Sequence, residues 1–242
     1  MRFSRFRLLV LLVAFSLLGA CSLRPTTTLY RLDSGNPETP KRNGPAVLLG
    51  PLTLADYLQR DDALLVQRHA DGHLSTASDA RWAGDLKADI DQLLLRHLAW
   101  HLDSHRLMPE PGAPGFKPDV QIQLNITRLD SGPQQPAVLE AQWRLLDRRG
   151  YLSESRLIRL QEPHQGSSAD QVRAQSLVLQ RLAERLAVAI RPLAEQRART
   201  AAVAAERRRS VRVAAPKAQE KPPRKLDIPI VTPTRNVEVF RF

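Results

Sequence analysis

The strongest constraint on this chain sits at its start. Arg2, Arg5 and Arg7 precede an apolar run from Leu8 to Leu18, and the small pair Gly19-Ala20 leads directly into Cys21, the only cysteine in 242 residues. A charged, an apolar and a small-residue part in that order make a secretory signal. The apolar part spans about 11 residues, whereas a membrane-spanning helix needs about 20. The expectation is a lipoprotein signal peptide over residues 1–20, cleaved to leave Cys21 as a diacylglyceryl-linked, palmitate-type N-acylated terminus. Several acyl chains, at about 0.8 kcal/mol per buried CH₂, hold far longer than one. With its one cysteine committed to lipid, the chain has no disulfide framework, so apolar burial must hold the fold. Residues 21–28, with Pro25 among them, read as a tether whose first seven residues reach at most about 25 Å.

Charge looks at first like a sign of nucleic-acid binding, with a formal net of +11. Mapped along the chain, +3 belongs to residues 1–20, +7 to residues 195–225, zero to residues 226–242, and only +1 to residues 21–194. A nucleic-acid-binding domain needs its basic residues clustered on the folded face. None is expected here. The basic segment has few large apolar side chains, so residues 195–242 read as an Ala-, Arg- and Pro-rich extension, helical at first and then mostly disordered, whose partner is anionic lipid. Val237 to Phe240 recovers some strand character.

Between tether and extension, hydrophobic periodicity sets out an α+β domain over residues 29–194. Leu29–Asp33, Ala46–Leu52 and Leu64–Arg68 read as strands, the last turning through Asp71-Gly72, a hairpin dipeptide. Trp82, Leu86, Ile90, Leu93, Leu94, His97 and Leu98 recur at spacings of three and four, which predicts a helix over 79–104 opened by Trp82. Asp119–Leu129 alternates Val120, Ile122, Leu124 and Ile126 with Gln121, Gln123, Asn125 and Thr127, as a strand with one wet face does. Val138–Leu146 and Tyr151–Leu160 complete an antiparallel meander. Ser167 or Ser168 caps a second helix with the stripe Val172, Leu179, Leu182, Leu186, Ile190 and Leu193. The expected fold is an antiparallel sheet with two long helices packed against it.

Here the residues carry a resemblance. The ordered set of lipobox, Tyr30-Arg31-Leu32-Asp33, an apolar strand with Gly50-Pro51, Tyr57-Leu58-Gln59-Arg60, a hydrophobic strand, and Trp82 opening a long helix resembles the ABC-type transport auxiliary lipoproteins, also called PqiC-like, over residues 15–195. The chain departs from the pattern after Arg60, where Asp61-Asp62 replaces the family's Pro-Gln. In the sorting rule that this resemblance brings in, aspartate after the cysteine favours inner-membrane retention. Ser22 stands there, which implies the outer membrane, facing the periplasm. The resemblance further implies a non-enzymatic component of a lipid transport system, partnered by a periplasmic MCE-domain protein and an inner-membrane permease, able to form homo-oligomers, with Tyr57, Leu58, Arg60 and Trp82 as partner-binding residues. The competing readings are a lipoprotein enzyme and a passive envelope or cell-wall lipoprotein.

Catalytic and cofactor motifs are absent from the sequence: it has no Gly-x-Ser-x-Gly elbow, phosphate loop or His-Glu-x-x-His. His97, His101 and His105 share a helical face, but the outer two lie about 12 Å apart along an axis rising 1.5 Å per residue, too far for one ion. No metal or cofactor is expected. The anchor is directly testable. Cys21→Ser should leave an uncleaved precursor or a soluble periplasmic product, and wild-type levels of the variant in outer-membrane fractions refute the lipidation.

Overall fold

The structure, a computed structural model, describes residues 27–214. Cys21 and the signal peptide, together with the C-terminal Val237–Phe240 stretch, lie outside the described residues. In chain order the elements are β1 (Thr28–Tyr30), β2 (Val47–Leu54), β3 (Leu64–Arg68), β4 (Leu74–Trp82), α1 (Leu86–Leu102), β5 (Leu107–Pro109), β6 (Val120–Gly132), β7 (Gln135–Asp147), β8 (Leu152–Glu162) and α2 (Ser168–Ala214). Among the described residues the fold is α+β, an eight-stranded sheet with two α-helices.

The expected meander is present, β6 pairing antiparallel with β7 from Val120↔Asp147 to Gly132↔Gln135, and β7 with β8. The sheet as a whole is mixed rather than antiparallel. β2 runs parallel to both β5 and β6, and β1 parallel to β4. Each parallel pair joins strands with other elements between them in the chain, which supplies the long crossover connection that parallel pairing needs. The three-residue β5 exists because Leu107–Pro109 lies beside Val47–Leu49. Such a pairing has no local signature.

Helix α1 starts later than its periodicity suggests. Residues 79–82 belong to β4, where Arg81 is flanked by Leu29 on one side and Leu64 on the other, so both strand edges are taken. Asp85 is the true cap, its carboxylate accepting from the amides of Lys87 (2.7 Å) and Ala88 (3.4 Å). The helix closes at Asp103, which takes the left-handed conformation with φ 48°. α2 is capped by Ser167, whose Oγ accepts from Asp170 N (3.1 Å) and donates to the Asp170 carboxylate (2.6 Å). Gln171 in the same turn is buried, its Nε2 donating to Gly166 O at 2.8 Å. α2 continues through Pro192 to Ala214. Ala, Arg and Glu, all strong helix formers, fill its later turns. The compact unit closes at Thr200 and every residue from 201 to 210 is exposed.

Both helices bury their stripes on one face of the sheet. Ile90, Leu94 and Leu98 from α1 and Leu179, Leu182 and Leu186 from α2 share one core with Ile122, Ile126 and Leu145. The opposite face of β6 shows half-buried Gln121 and Gln123 and exposed Asn125 and Thr127. The Tyr30–Asp33 motif staples the two layers. Arg31 Nη2 donates to Asp89 of α1 at 2.5 Å, and the Asp33 amide donates to Ser176 of α2 at 2.9 Å. Trp82 is 8% exposed and belongs to the core cluster. Trp82→Ala should therefore lower unfolding free energy by about 3–5 kcal/mol, read as a shift in urea midpoint. An unchanged midpoint removes Trp82 from the core.

Candidate functional site

The site forms where the long strand β6 changes neighbours. On one edge β7 accompanies it throughout. On the other edge β2 accompanies it up to Leu54↔Ile126, and β3 takes over only at Gln67↔Ser131. Gly132 is required at that junction, because a Cβ there would overlap the Arg68 carbonyl. Between the two neighbours, backbone groups of β6 are left without a strand partner. Residues 55–63 fill the interval: the Ala55 amide donates to Ile126 O (2.9 Å), and the Leu129 amide donates to the Tyr57 hydroxyl (3.1 Å). A tyrosine oxygen thus stands in for a missing strand carbonyl.

The same hydroxyl donates to Asp130 Oδ2 at 2.9 Å. Asp130 is fully buried and receives Arg68 through Nε (3.0 Å) and Nη2 (2.7 Å), and Arg128 through Nε (2.9 Å). Burial opposes its ionisation, but hydrogen bonds from Arg68, Tyr57 and Arg128 outweigh it, and its pKa falls below the ordinary carboxylate value. Burial, with the Asp130 charge beside it, pushes the Tyr57 phenol up to about 12. Ser131 next in line accepts from Gln175 (2.8 Å) and donates to Gln171 (3.3 Å), extending the polar network into α2.

Outside this anchor lies a cleft of about 550 Å³. Leu54, Leu58, Leu65, Trp82, Leu86 and Leu129 give it apolar walls, and Arg60, Asp61, Asp85 and Lys87 stand at its exposed mouth. Arg60 pairs with Asp62, not Asp61, and its hydrogen bond holds the Asp62 carboxyl down to about 2. Tyr57, Leu58, Arg60 and Trp82, from a loop and from the end of β4, all line this single cleft. Cys21 lies outside the described residues. Asp130, Arg68, Arg128, Gln175 and Lys87 were not foreseen. A lone Asp ahead of Ser-Gly reads as a turn residue, and nothing local distinguishes it. The histidines separate: His97 Nε2 meets Ser34 O at 2.8 Å, and His105 falls beyond the end of α1.

The chain belongs to the family of ABC-type transport auxiliary lipoprotein components, whose model matches residues 30–187. This is a family of transport components and not a known enzyme family. A crystal structure of a Xanthomonas campestris protein superimposes with a TM-score of 0.55 at 17% identity, covering 71% of this chain and 99% of that one. A crystal structure of an uncharacterized protein gives 0.51 at 18% identity, covering 68% and 96%. These likenesses establish the fold alone. No curated protein matches the chain.

The Tyr57 latch has a pH signature. A phenol with a raised pKa contributes stability that is fully present below its ordinary value of about 10 and is lost as pH rises toward 12. Tyr57→Phe should cost about 1–3 kcal/mol at neutral pH, since it leaves the Leu129 amide and a buried carboxylate each short of a partner. The difference between wild type and variant in urea unfolding should shrink between pH 10 and 12. A constant difference across that range refutes the latch.

Proposed function

We propose that this protein is the outer-membrane-anchored lipoprotein of an MCE-type intermembrane lipid transport system. Lipid at Cys21 holds it to the membrane, and it docks the periplasmic end of the MCE-domain bridge, whose other end meets an inner-membrane permease. Leu58 and Arg60 contact the partner at the cleft mouth, Tyr57 fixes the loop that presents them, and Trp82 forms the wall behind. The domain is residues 29–194, and the basic extension from 195 onward adds attraction to anionic lipid.

One observation carries this reading. Loop 56–62, whose Tyr57-Leu58-Gln59-Arg60 is one part of the family resemblance and whose Asp61-Asp62 departs from it, is pinned by Tyr57 to a buried charge cluster at 2.9 Å, while Leu58 is half-buried and Arg60 exposed at the cleft. A loop fixed at its root and open at its tip is pre-organised for recognition, which reduces the ordering cost of binding. The family's transport assignment supplies the class of partner.

The test is capture of the MCE-domain protein of the same system by full-length, lipidated protein. Arg60→Glu should weaken capture by about tenfold or more, the size expected when a contact charge is reversed, without moving the urea midpoint, because Arg60 is exposed. Capture that survives this reversal, or that is absent in wild type, refutes the docking role and leaves a passive envelope protein.

A further inference from the structure

We infer that the cleft accepts one acyl chain of a phospholipid, with a zwitterionic phosphate-and-amine headgroup held at its mouth. The inference rests on the lipoprotein reading above and names what is handed over at the docking site. Its first support is the lining. The walls are mainly Leu54, Leu58, Leu65, Trp82, Leu86 and Leu129, with Gln59 and Gln175 among them, and the volume of about 550 Å³ falls in the range of roughly 300–1,000 Å³ that holds small ligands.

The second support is the mouth. Arg60 and Lys87 present cations there, and Asp61 and the helix-capping Asp85 present carboxylates, so a phosphate and an amine each find an opposite charge. Arg60 pairs with Asp62 and Lys87 with Asp91 (3.0 Å) on the exposed surface. Exposed pairs of this kind are worth little, so both cations can turn to a phosphate.

The third support is position. Thr28–Tyr30 pairs with Ala80–Trp82, which places the wall residue Trp82 one strand from the end of the tether. Seven residues, Cys21 to Thr27, reach at most about 25 Å, so the anchor keeps the cleft near lipid headgroups. A partner strand adding to the sheet fits less well. β3 has β4 on one edge and meets β6 on the other, β4 is flanked by β1 and β3, and the loose Leu129 amide already has Tyr57.

The experiment places full-length lipidated protein in phosphatidylethanolamine vesicles whose acyl chains carry a photoactivatable diazirine, and maps the adducts by peptide mass spectrometry. Adducts should concentrate in residues 54–66 and 82–87. Leu58→Glu, a charge in an apolar wall, should reduce them by about tenfold. Leu58→Trp, which narrows the cleft without a charge, should also reduce them, and covers the case in which the first variant fails to fold. A diacylglycerol probe, lacking phosphate and amine, should label the cleft less. Adducts spread along the chain, or unchanged in both variants, overturn the assignment. So does crosslinking of the cleft to a partner peptide in place of lipid. Partner capture without cleft labelling overturns only this inference, and labelling without capture overturns only the docking role.

Discussion

The buried carboxylate of Asp130 is the interaction on which the sheet's junction depends. An isolated ionised carboxyl in a protein interior is strongly unfavourable unless paired and hydrogen-bonded. Here the partners come from three places: Arg68 on β3, Arg128 on β6 and Tyr57 in the connecting loop. Any arrangement that separates these segments strands a charge, so the pairing of β3 with β6 and the course of loop 55–63 are bound together. Such a cluster adds little net stability over well-packed apolar residues, but breaking it is costly. Its effect is to specify one geometry.

That geometry explains why the cleft exists. A continuous sheet presents no pocket on its own edge, whereas a strand that exchanges one neighbour for another leaves an interval of unpaired backbone. The interval in β6 is closed chemically by Ala55 and Tyr57. It is not closed sterically, and the cleft opens beside it. Apolar side chains from β2, β3, β4 and α1 face the opening because each element also contributes to the central core, as Leu54, Leu65, Trp82 and Leu86 do. Rigidity at the root of loop 56–62 and exposure at its tip thus have a single cause. Family membership fits this division: a transport accessory needs a presented surface more than a catalytic centre.

Much of this was legible in the sequence. Alternation in Val120–Ile126 and the three-and-four spacing from Leu86 to Leu98 depend only on which side of an element is buried, and both survive into the structure. Tyr57, Leu58, Arg60 and Trp82 were singled out through the family resemblance, and the fold gathers all four at one cleft. The strand in place of the first turns of α1 was not legible. Residues 79–82 continue the helical spacing by chance, and only the pairing of Arg81 with Leu29 and Leu64 makes them a strand. Parallel pairings such as β2 with β5 and β6 join residues some sixty or more positions apart, and no local pattern encodes them.

Local sequence therefore determined the identity of most strands and both helices, and the face that each buries, because these follow from side-chain polarity and backbone periodicity within a few residues. The order of strands, the change of neighbour along β6 and the charge cluster at Asp130 belong to the tertiary structure. Asp130 lies 62 residues from Arg68 and 73 from Tyr57, and the environment that shifts its ionisation exists only once those segments have met.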